Sequence, residues 1–208
     1  MRENSANPNP SNRRDFLRGS GMAAATAVIT QSTQVGMDEA QAELLATQEI
    51  TVASGTLDVT LQVNGKTMKA AAEPRSTLLD VLRHRLDVTG PKRVCDRASC
   101  GACTVLIDGQ AVYSCTTLAI AAQGKEIRTL ESFDTGPSGV PHAFHQNDGL
   151  MCGYCTPGFV TACQALLEKN PNPTLEEVQK GLDGNICRCG TYVGVVKAAL
   201  EAAKAIKV

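Results

Sequence analysis

From residue 57 onward the apolar positions follow two periods, and the change from one to the other divides the chain. Val59, Leu61 and Val63 alternate with polar residues up to Asn64-Gly65, the pattern of a half-buried strand running into a tight hairpin turn. Residues 104–107 run into Asp108-Gly109 and then residues 111–113, a second strand-turn-strand signal. Between them Thr77, with Asp80 three positions on, resembles a capping box, and Leu78, Leu79, Leu82 and Leu86 follow at helical spacing. Residues 57–133 therefore read as a small α+β domain, and residues 134–140, rich in Gly, Pro and Ser, as a linker. Beyond it the period is helical. Phe159, Ala162, Cys163, Leu166 and Leu167 share one face, Thr174 and Glu177 cap a further helix, and Val195, Ala199, Ala202 and Ile206 mark the last. Residues 141–208 are thus expected to form a helical domain, with Cys163 in its core.

The cysteines change the picture. Eight of the nine fall into two groups of four. Cys95, Cys100, Cys103 and Cys115 read C-x4-C-x2-C with a fourth cysteine twelve positions on, close to the plant-type 2Fe-2S spacing. Cys152, Cys155, Cys187 and Cys189 read C-x2-C, a long insert, then C-x-C. Each iron of such a cluster takes two thiolates, and a short loop supplies three of the four only if its backbone curls around the sulfides. Ala98, Ser99, Gly101 and Ala102 are small enough to allow that, and the fourth cysteine is expected from a separate strand. Gly153 lets the first pair of the second group turn tightly. Helices on both sides of that group are expected to bury it in a bundle.

Two other uses of cysteine compete with this reading. A disulfide framework suits an exported chain, yet nine is odd and 43% apolar residues build a core without staples. Four thiolates of the second group could also close a tetrahedral zinc site, which would make the chain a zinc-stabilised binding module. No C-x-x-C-H is present for covalent haem, and His84, His142 and His145 read as ordinary surface residues.

Residues 1–56 read as a signal and linker. Arg13-Arg14 precede Phe16-Leu17 and an Ala-rich uncharged run over 19–30, the form of a twin-arginine export signal. That run is shorter than the ~20 apolar residues a membrane span needs. Ala40-Gln41-Ala42 offers a cleavage site. Export by this route carries folded, cofactor-loaded proteins, so the expected location is the periplasm.

Five stretches carry a family resemblance: Val63-Asn64-Gly65, Thr77-Leu78-Leu79-Asp80, residues 100–105 (CGACTV), residues 152–158 (CGYCTPG) and residues 184–190 (GNICRCG). With them the chain resembles the two-cluster iron–sulfur subunits of the molybdenum hydroxylases, the xanthine dehydrogenase and aldehyde oxidoreductase group. The resemblance implies a β-grasp ferredoxin-like domain followed by a four-helix domain, each with one 2Fe-2S cluster. It implies a large subunit carrying a molybdenum–molybdopterin cofactor, with Met151, Cys152 and Cys189 facing that cofactor. The substrate implied is an aldehyde, with N-heterocycles such as purines as the alternative. Electrons would pass first through the Cys152/Cys155/Cys187/Cys189 cluster, next through the Cys95/Cys100/Cys103/Cys115 cluster, and on to an FAD subunit or a periplasmic cytochrome. No bond-making chemistry is expected in this chain. A free-standing diffusible ferredoxin is the competing function.

Two positions depart from the family pattern. Glycine is usual where Ala98 stands, so a left-handed backbone there would be strained by about 1 kcal/mol. Glutamine is usual at Met151, where its amide contacts the pterin, and a thioether offers no donor. A net charge of −1 argues against a nucleic-acid or anionic-membrane partner.

Overall fold

The computed structural model describes residues 54–205. The twin-arginine stretch, Ala40-Gln41-Ala42 and Ile206 lie outside the described residues. Strands β1 (Leu57–Val63) and β2 (Lys66–Ala72) form the first hairpin, in register from Leu57 opposite Ala72 to Val63 opposite Lys66. Its turn places Asn64 at φ 52° and Gly65 at φ 74°, the left-handed pair that a two-residue hairpin requires. Strands β3 (Thr104–Ile107) and β4 (Gln110–Tyr113) repeat the device through Asp108 and Gly109.

A short strand, β5 (Glu126–Arg128), joins the hairpins. It pairs parallel with β1 and antiparallel with β3, giving a five-stranded mixed sheet in the order β2-β1-β5-β3-β4. Across it lies helix α1 (Leu78–Arg85), whose Leu78, Val81 and Leu82 pack with Val59, Leu61, Val63, Val105 and Ile127. This is the β-grasp arrangement. The Thr77 hydroxyl caps α1 by accepting the Asp80 N–H at 3.1 Å. Leu86, expected on the helical stripe, is instead the C-cap, and Asp87 turns the chain at φ 56°.

The helical part contains α2 (Val140–Gln146), α3 (Thr156–Lys169), α4 (Leu175–Gly181) and α5 (Tyr192–Ala205). Helix α2 begins at Val140, within the stretch read as linker. At α4, Thr174 and Glu177 form a full capping box, each side chain taking the other's backbone N–H. Phe144, Phe159, Val195 and Ala199 are almost wholly buried in this core, and so is Cys163, as its helical stripe predicts. Among the described residues no helix is long and apolar enough to cross a membrane.

Candidate metal centres

Residues 86–103 link α1 to β3 and carry the first three cysteines of the first group. Asp96, Ala98 and Gly101 adopt φ of 57°, 55° and 70°. Left-handed residues interleaved with right-handed ones turn successive N–H groups to one side, a concavity that receives negative charge. Accordingly the Ala98 N–H donates to Cys115 Sγ at 3.3 Å and the Ser99 N–H to Cys95 Sγ at 3.4 Å. Cys103 immediately precedes β3. Cys115 does not arrive on a strand: it sits in the turn after β4, held there because the Ser114 hydroxyl donates to the Cys103 carbonyl at 2.6 Å. Cys100 neighbours Cys95, and Cys115 neighbours Cys103, closely enough to act on their titration. Burial pushes Cys103 up to about 12. At Cys95 burial also raises, but the N–H groups of Arg97 and Ser99 outweigh it and leave the thiol at about 7.

The second group lies at one end of the helical bundle rather than inside it. Cys152 is exposed, Cys155 and Cys189 are half-buried, and Cys187 alone is buried. The expectation of a buried centre fails for a local reason: all four cysteines stand in the loops that lead into α3 and α5, while those helices spend their apolar faces on the core. Both helices point their N-terminal, positive ends toward the thiols. Gly153 at φ 77° and Gly190 at φ 80° make the turns. The two motifs bring their thiols together, Cys152 beside Cys189 and Cys155 beside Cys187, with Cys187 also acting on Cys152 and Cys189. Burial drives Cys155 up to about 12. Burial raises Cys187 too, yet the hydroxyl and N–H of Thr191 outweigh it and set the thiol at about 7.

Four thiols at each site are the number that a two-iron cluster takes, two to each iron. Among the described residues no three His, Cys, Asp or Glu side chains converge as a single metal ion would require. All nine cysteines are free of disulfides. His84 and His145 are exposed and His142 is half-buried, away from both groups in sequence. Met151 is 72% exposed beside Cys152.

The two sites are stitched to each other. The Ile186 N–H donates to the Cys100 carbonyl at 3.0 Å, Asn185 Nδ2 to the Gly101 carbonyl at 3.0 Å, and Tyr113 Oη to the Gly184 carbonyl at 3.0 Å. A Cβ at Gly158 would come within 2.3 Å of the Gly101 carbonyl oxygen, so glycine is required where α3 meets the first loop. Asn185 and Tyr113 carry no signal in the sequence, because a polar residue beside a cysteine motif does not reveal its partner 70 or more positions away.

This geometry defines a two-cluster iron–sulfur protein, and comparison with known proteins agrees. Residues 61–129 match the family described as "2Fe-2S iron-sulfur cluster binding domain", residues 129–200 the "[2Fe-2S] binding domain", and residues 10–30 the twin-arginine translocation signal. The chain is 45% identical over 150 residues to the nicotine 6-hydroxylase small subunit of Paenarthrobacter nicotinovorans, covering 72% of this chain and 91% of the relative. It is 37% identical over 212 residues to the iron-sulfur-binding subunit PaoA of an Escherichia coli aldehyde oxidoreductase, covering 94% and 89%. Quinoline 2-oxidoreductase from Pseudomonas putida 86 superposes with a TM-score of 0.66 at 36% identity, covering 74% of this chain and 100% of the other.

The chain belongs to the iron–sulfur subunits of the molybdenum hydroxylases, and it carries two 2Fe-2S clusters as part of a multi-subunit oxidoreductase.

Proposed function

We propose that this chain works in the periplasm as the electron relay of a molybdenum-dependent aldehyde oxidoreductase. It would link a large subunit that oxidises the substrate to an FAD subunit or a periplasmic cytochrome. Cys95, Cys100, Cys103 and Cys115 hold the outer cluster, and Cys152, Cys155, Cys187 and Cys189 the one that faces molybdenum. Each cluster, when bound, takes up and releases one electron at a time. The observation that carries the reading is the Ile186 N–H bond to the Cys100 carbonyl, which joins a residue adjoining one ligand of the second group directly to a ligand residue of the first. The cysteine loops thereby share a backbone contact, with no solvent layer to cross.

The apolar surface supports a docked second site. Leu150, Met151, Tyr154, Ile186, Tyr192 and Val193 are 41–72% exposed, and each lies within six residues of a cysteine of the second group. A diffusible carrier has no use for such a collar, whereas a partner subunit would cover it. The collar, rather than burial of the cysteines within the chain, marks the second group as a docked site. Met151 stands in the collar beside Cys152, where the family's glutamine would reach the pterin. Periplasmic location is supported by the twin-arginine match and by the similarity to PaoA, which covers 94% of this chain and so reaches into the signal region. The alternative substrate, an N-heterocycle, draws support from the nicotine and quinoline enzymes among the relatives.

Rapid-freeze EPR of the assembled enzyme tests the order. With Cys103→Ser, substrate should still reduce the remaining cluster in one turnover while steady-state turnover falls. With Cys155→Ser, reduction by substrate should fail. The reverse result would place the ferredoxin-like domain against molybdenum.

A further inference from the structure

Thr191 stands directly before α5, where a threonine hydroxyl ordinarily turns back to the unpaired N–H groups of the first helical turn. Its carbonyl does open the helix, accepting the Val195 N–H at 3.0 Å. The hydroxyl does something else: its oxygen lies 3.2 Å from Cys187 Sγ. Cys187 is 6% exposed, so water scarcely competes for that sulfur. A free thiol and a hydroxyl could share a proton in either direction. A cysteine bound to iron is a thiolate with no proton to give, so the Thr191 O–H is then the donor.

We propose that Thr191 tunes the second cluster: its hydroxyl donates to Cys187 Sγ and raises the reduction potential of the Cys152/Cys155/Cys187/Cys189 centre. The proposal rests on the ligand assignment given above. Reduction adds one electron, whose charge spreads onto the sulfur ligands. A donor aimed at sulfur attracts the more negative, reduced state more strongly than the oxidised one and so favours reduction. The O–H bond stays intact and no proton moves. The electron comes from the partner's molybdenum centre in the working enzyme and from dithionite in the test. The bond is charge-assisted and shielded from water, the setting in which a single donor counts most. A hydroxyl there eases electron uptake at the centre proposed to be the first acceptor.

The test compares wild type, Thr191→Val and Thr191→Ser as assembled enzyme. Iron and sulfide are measured first, and the two EPR signals are then followed through a dithionite redox titration. Thr191→Val should move one signal to lower potential and leave the other in place. Thr191→Ser, which keeps the hydroxyl, should stay near wild type. At the potential that half-reduces the wild-type centre, the Val variant should hold several-fold less of the reduced form. Unchanged potentials, a common shift of both signals, or a Ser variant shifted as far as Val would overturn the proposal. Should the Val variant fail to hold the cluster, Thr191→Ala serves in its place, and loss of the cluster there too would make Thr191 a folding residue and end the proposal. A zinc-loaded, iron-free wild type would instead overturn the ligand assignment, and this inference with it.

Discussion

Asn185 Nδ2 donates to the carbonyl of Gly101 at 3.0 Å, and this buried bond closes 84 residues of chain into one contact between the cysteine loops. Asn185 is only 6% exposed, so no solvent stands ready to replace the amide. Gly101, at φ 70°, lies so close that a Cβ there would meet Asn185 Nδ2 at 2.4 Å.

Replacing Asn185 by Ala should remove one donor from the Gly101 carbonyl, which keeps the Thr104 N–H at 3.1 Å and the Thr104 hydroxyl at 2.6 Å, at a cost of about 0.5–1.5 kcal/mol. Denaturant titration reads the loss directly. Gly101→Ala should be worse, because it adds a left-handed backbone penalty to the clash, and iron content should fall with it. Unaltered stability in both variants would show that the loops do not depend on this contact.

Ala98 occupies φ 55° and donates its N–H to Cys115 Sγ. A left-handed alanine costs ~1–2 kcal/mol, while glycine loosens the unfolded chain by ~0.4–1 kcal/mol. Ala98→Gly should therefore stabilise the protein by roughly 0.5–1 kcal/mol, read as a higher denaturation midpoint at unchanged slope. A lower midpoint would mean that the loop relaxes around alanine at no cost.

Arg128 at the end of β5 and Glu168 on α3 form a paired contact at 2.7 Å and 3.2 Å that ties sheet to helices. The Arg128 hydrogen bond holds the Glu168 carboxyl below its ordinary value, with Gln164 adding to it. A depressed folded pKa contributes stability above the unfolded value of about 4.3, and that stability disappears as pH falls through the folded value. Both side chains are about a third exposed, so the contribution is on the order of 0.5 kcal/mol. Glu168→Gln should cost that much near pH 7 and nothing near pH 3, measured by denaturation at both. An equal cost at both values would assign the effect to packing.

Cys163 is wholly buried and its thiol is pushed up to about 12 by burial alone. Cys163→Ala should lower stability by about 1 kcal/mol and leave iron content unchanged. Loss of iron would make it a ligand.

Arg13→Lys with Arg14→Lys should leave the protein folded, coloured and retained in the cytoplasm. Cell fractionation checks this, and undiminished export would remove the signal assignment.

Much of this molecule follows from local rules. The alternation at Val59, Leu61 and Val63, the Asn64-Gly65 and Asp108-Gly109 turns and the Thr174–Glu177 box act over a few residues, and each is visible in order along the chain. The cysteine spacing likewise names the chemistry, because loop length alone limits which thiols one cluster can reach. Strand β5 was not legible: three residues with one apolar position carry no period, and Ile127 is buried only because β1, more than 60 residues away, and β3 close around it from either side. Tertiary structure alone decided that Cys115 enters from a turn and that the second cysteine group opens at the end of the bundle. It also brought Asn185 to Gly101. Sequence records which donors and ligands a loop can offer, whereas burial and long-range partners depend on how helices spend their apolar faces, and that is settled only when the elements pack.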